Sequence, residues 1–461
     1  MVEGHIAARR AAKMEGGTLH TITIEGIQLT RKERETVTRT HPPLPPLADP
    51  PPALPALTNI VGLMPVHQGL ADRRWRVPSL AVVQQEGWDA DTLGRFISTS
   101  SSLRRVFVGG SSSFDEGGWA GVFEGIPETP PGQQGGPLSQ LEAIGTIKIR
   151  GNSTDQLGVE RLQAVLLARG CRRSLQRLDV SCDLFDAGRR TFPVLLAVDR
   201  LATECCRQDA PVTFTSPGSP VCTYFDLNMF HHSEIPTHPS PWLKSVIQQL
   251  ARQVTQVQYS LTQDDLTDDL RNPSESAIDI ANTLTFDEAG SVEVRNAYDF
   301  DPPANADSPH PSIIAHLPQQ PFPKATHLWI GSRLGGAAGR LLAAKMPDKV
   351  GGVDTRWGGE DELVGAAGGL PKIKDLWIIM KLPDGAGEED VGSHVYARLS
   401  SLIDHVRGLQ HVRLDVDPTT PQQHDSILDS LPEGTNIRGF TITRVDLLTR
   451  GAAIVVAVRN G

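Results

Sequence analysis

The chain has 461 residues, of which 43 are glycine and 35 are proline, so it is long enough for two or three domains or for one array of short repeated elements. Its formal net charge of −10 argues against a dedicated nucleic-acid-binding protein, which carries a basic face. Five cysteines without a zinc-type spacing, and no apolar run long enough for a signal peptide or a membrane span, indicate a soluble intracellular protein of the cytoplasm or nucleus.

Residues 1–37 are predicted to form a helix and a strand, followed by a proline-rich linker at 38–56. Proline removes a backbone donor and fixes φ, so "HPPLPPLADPPPALP" is expected to be irregular and mobile. Within this stretch Arg39, Pro42 and Pro45 fit a basic-x-x-P-x-x-P pattern. That pattern predicts docking as a polyproline helix onto the aromatic groove of a partner domain, with a plain extended spacer as the alternative.

A short apolar pattern recurs along the chain: an apolar residue, two variable residues, an apolar residue, one variable residue and an apolar residue. The clearest copies are "LHTITI" at Leu19, "LRRVFV" at Leu103, "IGTIKI" at Ile144, "LQRLDV" at Leu175, "ATHLWI" at Ala325, "IKDLWI" at Ile373, "LQHVRL" at Leu409 and "IRGFTI" at Ile437. Each hexad predicts a strand whose apolar positions face one side of a sheet. The strands are expected in a first lobe at 57–300 and a second lobe at 324–461, with a second mobile, proline-rich linker at 301–323.

Segments with helical spacing lie between the hexads. Ser240 before Pro241 is typical of a helix start, and Gly170 is typical of a helix end. Strand, loop and helix therefore alternate, which is the order that a parallel sheet with crossover helices requires.

The hexads, and "SLQRLDVSCD" above all, resemble the strand segment of leucine-rich repeats, L-x-x-L-x-L-x-x-N/C-x-L. The resemblance implies an α/β solenoid of irregular strand–loop–helix repeats with a parallel sheet. The sequence departs from the family at the Asn/Cys position, which only Asn152 fills, and its hexads lie about 35 residues apart where about 20 to 29 is usual. An open doubly wound α/β sheet, or two α/β domains, is the alternative fold.

In such a sheet the variable positions of each hexad lie on the face opposite the apolar ones. That face is predicted to be a concave protein-binding surface. The predicted binding residues are Arg105, Phe107, Lys148, Arg150, Arg177, Trp329, Trp377 and Arg413, and the same face is expected to carry Asp179, Glu293, Arg295, His327, Asp375 and His411. Arginine and large aromatic side chains anchor protein interfaces. In the alternative arrangement, long connections fold over the sheet and bury Trp329 and Trp377.

The stretch "HLWIGSRLGGAAGR" (327–340) places glycines between an apolar strand and a helix, the order of a phosphate-binding loop. However, Arg340 stands where a Walker loop has its lysine, and "DLWIIMKL" (375–382) repeats the strand without the glycines. A scaffold turn is therefore favoured. An α/β enzyme or nucleotide binder that uses the glycine-rich loop 331–339 is the alternative.

No catalytic residue, cofactor or metal site is predicted. "HHSEIPTH" holds His231, Glu234 and His238, but it lacks a zincin spacing, and its prolines preclude the helix that would align the ligands. The predicted function is a non-enzymatic protein-binding scaffold that contacts neither nucleic acid nor membrane. A substrate-recognition subunit of a ubiquitin ligase is a further alternative, although no adaptor-binding box precedes Leu19.

Overall fold

The computed structural model describes residues 2–14, 18–24, 51–63, 69–109, 114–133, 135–150, 153–182, 186–187, 191–215, 223–232, 235–261, 273–296, 313–330, 341–347, 350–356, 373–380, 382, 390–406, 408–416, 420–447 and 452–460. The chain forms two compact units. Unit 1 comprises Met1–Leu184 and Pro193–Ser219, and unit 2 comprises Phe185–Phe192 and Pro220–Gly461.

Unit 1 contains two parallel sheets. The first has the strand order β1-β2-β3-β4-β6 and the second has the order β10-β8-β7-β5. The strands are β1 (Thr21–Thr23), β2 (Asn59–Leu63), β3 (Val82–Glu86), β4 (Arg105–Gly109), β5 (Phe114–Asp115), β6 (Ala143–Ile144), β7 (Ile147–Ile149), β8 (Leu178–Cys182) and β10 (Val212–Thr215). Within each sheet the strands lie in chain order, as short crossover connections favour.

Helices alternate with the strands of unit 1. They are α1 (Val2–Ala11), α2 (Gly69–Asp72), α3 (Ala90–Ile97), α4 (Glu116–Glu124), α5 (Ser153–Ala168) and α6 (Phe192–Cys205). Asp89 and Asp115 cap α3 and α4, accepting hydrogen bonds of 2.7 Å from the backbone N–H groups of Thr92 and Gly118. These caps satisfy donors that each helix start would otherwise leave unpaired.

The solenoid prediction required the hexads at 103, 144 and 175 to lie in one sheet, but they do not. Val106 lies in the first sheet, whereas Ile147 and Leu178 lie in the second. The break between the two sheets falls at Gly145–Thr146, where the Trp119 indole N–H donates to the Thr146 carbonyl at 3.1 Å. A side chain at Gly145 would also collide with the indole, because its Cβ would lie 2.9 Å from Trp119.

The beginnings of these three segments are nevertheless neighbours. The Glu142 N–H donates to the Arg104 carbonyl, and the Gln176 N–H donates to the Glu142 carbonyl, each at 2.7 Å. The three hexads therefore start side by side and parallel, before their strands separate into the two sheets.

Unit 2 contains one eleven-stranded sheet, ordered β18-β19-β20-β17-β16-β15-β14-β13-β12-β11-β9. Its strands are β9 (Asp186–Ala187), β11 (Tyr224–Asp226), β12 (Gln256–Leu261), β13 (Ser291–Asn296), β14 (His327–Ile330), β15 (Gly352–Arg356), β16 (Asp375–Met380), β17 (His411–Val416), β18 (Asn436–Ile437), β19 (Phe440–Leu447) and β20 (Ala453–Arg459). From β11 to β17 every neighbouring pair is parallel and follows chain order.

The last hexad is not a parallel strand. β18 and β19 form an antiparallel hairpin, and β20 pairs antiparallel with β17, so the sheet is mixed and the expectation of a purely parallel sheet is wrong here. The cause is a two-residue turn at Arg438 and Gly439, both with positive φ (51° and 86°). Positive φ at both positions gives the tight turn whose twist suits an antiparallel hairpin.

Unit 2 contains helices α7 (Met229–His232), α8 (Pro241–Gln253), α9 (Glu275–Ala281), α10 (Val391–His405) and α11 (Pro421–Ser430), together with a short 3-10 helix at Ile313–His316. Ser240 caps α8 as predicted, accepting from the Leu243 N–H at 3.1 Å, with Pro241 in the first turn. No helix within the described ranges of either unit is long and apolar enough to cross a membrane.

The apolar positions of the hexads form the buried face of the strands, as predicted. They include Leu103, Val106, Ile144, Ile147, Leu175, Leu178, Leu328, Leu376, Ile378, Val412 and Leu414, all buried. Burying a leucine or valine side chain contributes about 1.5 to 3 kcal/mol. The two-residue alternation of the hexads therefore identifies which strand face lies in the core.

The described parts of the two proline-rich segments, 51–56 and 313–323, are packed, and their mobility stays a prediction. Leu54 is buried and Ala53 forms a bridge to Arg76; Ile313, Ile314 and Phe322 are fully buried. The apolar residues between the prolines provide this packing. Residues 38–50 and 301–312 lie outside the described residues, and β13 pairs directly with β14 across the second segment.

Candidate functional site

Two rows of polar and aromatic side chains run across the exposed face of the unit 2 sheet, because residues in register on parallel strands lie side by side. The first row is His327, Gly352, Asp375 and His411; the second is Glu293, Trp329, Asp354, Trp377 and Arg413. Between β14 and β17 the two rows line a groove of about 770 Å³, which also includes Thr326, Gly351 and Lys374. This groove is the candidate functional site.

The Arg413 guanidinium is held at one face by an aromatic ring and along one edge by a carboxylate. The group lies 4.3 Å from the centroid of the Trp377 ring, and it donates two hydrogen bonds, of 2.7 and 2.9 Å, to the buried Asp415 carboxylate. These bonds raise the pKa of Arg413 above its usual value. Trp377 remains 36% exposed. An arginine and an exposed tryptophan are therefore fixed in place without a partner, which lowers the entropy cost of binding.

His327 on β14 reaches Asp354 on the neighbouring strand β15. Its Nε2 lies 3.1 Å from Asp354 Oδ2, and this hydrogen bond raises the pKa of His327, with a further contribution from the charge of Glu293. The imidazole fits because residue 352 is glycine: a Cβ there would lie 2.5 Å from His327 Nδ1. His411 forms a similar pair on the neighbouring strands, with Nδ1 2.8 Å from Asp375 Oδ1. Two histidine–aspartate pairs thus flank the groove.

Three of the predicted binding residues meet at this site. Trp377 and Arg413 line the groove, and Trp329 is half-buried in the second row beside Asp354. Trp377 is an exposed residue of β16. Sequence reasoning missed Gly352 and Asp354 because it did not recognise β15. "VGGVDT" (350–355) fits the hexad except at its last position, where Thr355 is polar, and that near match was the available signal.

The other five predicted binding residues belong to unit 1. Arg177 lies 5.7 Å from the centroid of the Phe107 ring, and the Arg105 Nε donates to Glu142 at 3.1 Å. Lys148 and Arg150 are both exposed. Unit 1 therefore repeats, on a smaller scale, the pairing of an arginine with an aromatic ring.

Glu116 is a second unusual group in unit 1. It lies in the first turn of α4, is 8% exposed, and its Oε2 has no hydrogen-bond partner among the described residues. Burial, and then the nearby charges of Asp155 and Asp115, raise its pKa to about 7. Gly158 on α5 makes room for it, since a Cβ there would lie 2.2 Å from Glu116 Cγ. The carboxyl can therefore gain or lose a proton near neutral pH.

The remaining sequence candidates do not form a site in the described residues. The glycine-rich loop 331–339 and the polyproline residues Arg39, Pro42 and Pro45 lie outside them. His231 is a buried residue of unit 2 whose Nε2 accepts from the Ile313 N–H at 3.4 Å. Within the described ranges, no group of three or more His, Cys, Asp or Glu side chains could hold a metal ion.

Comparison with known protein families found no family that matches this chain, and comparison with curated proteins found no significant relative.

Proposed function

We propose that the protein is a non-enzymatic scaffold that binds a protein partner on the exposed face of the unit 2 sheet. The observation that carries this proposal is the groove in which Trp377, stacked on Arg413, stays exposed beside two histidine–aspartate pairs. Tryptophan and arginine are the residues most often found to dominate binding energy at protein interfaces.

The proposal includes a diverged leucine-rich-repeat-like array as the architecture of unit 2. In its support, strands β11 to β17 pair in chain order and in register. At the start of each strand, backbone N–H groups donate to a carbonyl at the start of the preceding strand. The Lys374 and Asp375 N–H groups donate to the Gly351 carbonyl, and those of Gln410 and His411 donate to the Lys374 carbonyl. Such a ladder aligns the variable positions of successive strands into continuous rows, which suits recognition of an extended surface.

The pre-ordered side chains support binding rather than catalysis. The acidic groups on this face are engaged with arginine or histidine, and the Asp415 carboxylate is held by two hydrogen bonds from Arg413. Side chains locked in this way present a fixed pattern of charge and shape, which confers specificity on an interface.

Site-specific photo-cross-linking tests the proposal. A benzophenone amino acid replaces Trp377 in one variant and Tyr396 in another; Tyr396 is 41% exposed on α10 and lies outside the groove. We expect a discrete cross-linked protein from position 377 and not from position 396. Excess unlabelled native protein should compete for it, whereas the Trp377→Ala/Arg413→Ala double variant should not. Equal yields from both positions, or equal competition by the double variant, would reject the proposed binding face.

A further inference from the structure

The Glu116 side chain lies in a notch between α4 and α5. The notch exists because residue 158 of α5 is glycine: a Cβ there would lie 2.2 Å from Glu116 Cγ and 2.7 Å from Glu116 Oε1. Glu116 is 8% exposed, and its Oε2 is buried with no hydrogen-bond partner among the described residues. A carboxyl in this position favours a bound proton, because burying the neutral form costs less than burying the charged one.

Charged groups approach α4 from every element packed against it. They are Asp115 at the α4 cap, Asp155 in the first turn of α5, Lys148 on β7 in register with Asp115, Arg150 just after β7, Arg161 of α5 paired with Glu124 at the far end of α4, and Asp91 of α3 close to Gly121. Burial has the largest effect on the pKa of Glu116 and raises it, and the charges of Asp155 and Asp115 raise it further. The Glu116 backbone N–H and the Arg150 charge lower the pKa but are outweighed. Loss of the proton therefore leaves a buried negative charge beside two other carboxylates.

The first turn of α4 is joined to the sheet by a short strand. β5, which precedes this turn, pairs with β7 through Phe114↔Ile147 and Asp115↔Lys148. The first N–H groups of a helix have no intrahelical partner, and here the Asp115 side chain accepts from the Gly118 N–H. A helix end of this kind opens locally at a lower free energy than the whole unit unfolds. The buried charge can therefore be relieved by movement of this turn away from α5, with the sheet intact.

We propose that Glu116 forms a pH-sensitive contact between α4 and α5. When protonated, the carboxyl stays in the notch and the first turn of α4 packs against α5. When the proton passes to solvent water, the carboxylate leaves the notch and that turn detaches. The contact lies in unit 1 and does not depend on the binding face proposed for unit 2.

Amide hydrogen exchange of the full chain, read by mass spectrometry at pH 5 and pH 8, tests the inference. The rates are first corrected for the chemical exchange rate at each pH. Protection of residues 116–120 should then fall roughly hundredfold from pH 5 to pH 8, because opening releases a proton from a group whose pKa is 4.5 when exposed and about 7 in the notch. Helix α3 is the internal control. It also begins at an aspartate cap, Asp89, whose pKa is lowered, so its protection should stay nearly constant.

Matched variants sharpen the test. Glu116→Gln keeps the shape without titrating, so α4 should be equally protected at the two pH values. Asp155→Asn removes a charge that raises the pKa of Glu116, so the loss of protection at pH 8 should become several-fold smaller. Gly158→Ala fills the notch and should leave the turn unprotected at both pH values. Gly117→Ala is its control and should behave as the native chain, since its Cβ would lie at an ordinary contact distance of 3.8 Å from Asp115 Oδ1.

Equal loss of protection in α3 and α4 would show that Glu116 alters only the global stability of unit 1, and would overturn the inference. A pH-dependent loss that persists in Glu116→Gln would also overturn it, because another group would then be responsible. Constant protection of α4 from pH 5 to pH 8 in the native chain would mean that the carboxylate is accommodated without movement of the helix, which likewise rejects the proposed contact.

Discussion

Glu116 places a carboxyl group where the fold favours its neutral form. Its Oε2 is buried without a hydrogen-bond partner among the described residues, and Asp155 and Asp115 add negative charge nearby. The pKa therefore rises from 4.5 to about 7. Because the folded-state pKa exceeds the unfolded one, the contribution to stability is fully present below pH 4.5 and is lost as the pH rises through about 7.

Replacing Glu116 by glutamine should remove this pH dependence. At pH 8 we expect Glu116→Gln to be more stable than the native protein by about 3 kcal/mol, since the pKa rises from 4.5 to about 7 and one pKa unit corresponds to about 1.4 kcal/mol. At pH 4 the two should unfold at nearly the same denaturant concentration. Urea unfolding at both pH values measures this. Glu128→Gln, at an exposed position of the same unit, is the control and should change stability at neither pH. A destabilised Glu116→Gln at pH 8 would contradict the buried, uncompensated carboxylate.

At the scale of elements, side-chain hydrogen bonds, and not only the backbone hydrogen bonds between strands, fix how helices and strands pack together. Arg169 is 6% exposed, and its guanidinium donates to the carbonyls of Glu124 and Ile126 at the end of α4 and of Val165 in the last turn of α5. These carbonyls have no intrahelical partner, and a cation at a helix C-terminus also favours the helix dipole. One arginine thus joins the ends of two helices.

Substitution of Arg169 should loosen both helix ends. We expect Arg169→Met to lower the free energy of unfolding by about 3 kcal/mol, because buried carbonyls lose charged donors. Arg172→Met, at an exposed position three residues away, should cost little. Denaturant unfolding gives the stabilities, and amide hydrogen exchange should rise at the ends of α4 and α5. Equal stability of the two variants would show that these hydrogen bonds contribute little.

On β15, Gly352 controls the position of the His327 imidazole. Valine at this position would place a Cβ 2.5 Å from His327 Nδ1, so the ring must move and lose Asp354. In Gly352→Val the pKa of His327 should fall towards its ordinary value. The stabilisation by protonated His327, which is present below pH 6.5 and lost as the pH rises through the raised pKa, should fall with it.

A proton NMR titration of His327 measures this change. Gly351→Val is the control, since its side chain enters open space and should leave the pKa of His327 raised. An unchanged pKa in Gly352→Val would mean that the glycine does not position the ring.

At the scale of the whole molecule, tertiary packing decides the reactivity of the thiols. Cys171, Cys182, Cys205 and Cys206 are free and buried. Burial raises the pKa of Cys206 to about 12. The hydrogen bond that the Cys205 thiol donates to Cys171, together with burial, raises the pKa of Cys205, and the same hydrogen bond lowers the pKa of Cys171. All four sulfur atoms are buried out of reach of a disulfide reagent, so these cysteines should be inert in the folded protein.

A Cys222→Ser background, which leaves only these four thiols, tests that expectation with Ellman's reagent. In the folded protein we expect the four thiols to react only as fast as the protein unfolds. In guanidinium chloride we expect all four thiols to react rapidly. Adding Gln140→Cys at an exposed position should supply one fast thiol and shows that the reagent has access. Rapid labelling of the four native thiols would mean that the core of unit 1 opens readily.

The amino-acid sequence by itself determined the strand faces and several helix ends. The hexads predicted that Leu328 and Leu376 are buried while Trp377 is exposed, because a strand alternates its side chains with a period of two residues. Ser240 and Gly170 marked helix boundaries for equally local reasons, the N-cap hydrogen bond and the positive φ that glycine tolerates.

The tertiary structure was needed to show which strands pair and which residues come together on their exposed faces. At the break near Gly145 the Thr146 carbonyl accepts a hydrogen bond from Trp119, a residue of a different element, and no local pattern encodes that contact. The groove likewise needs Gly352 beside His327, Asp354 beside Trp377, and Arg413 on the next strand, residues far apart in sequence. Their meeting depends on the register of parallel strands, which is set by packing of the whole unit rather than by any one segment.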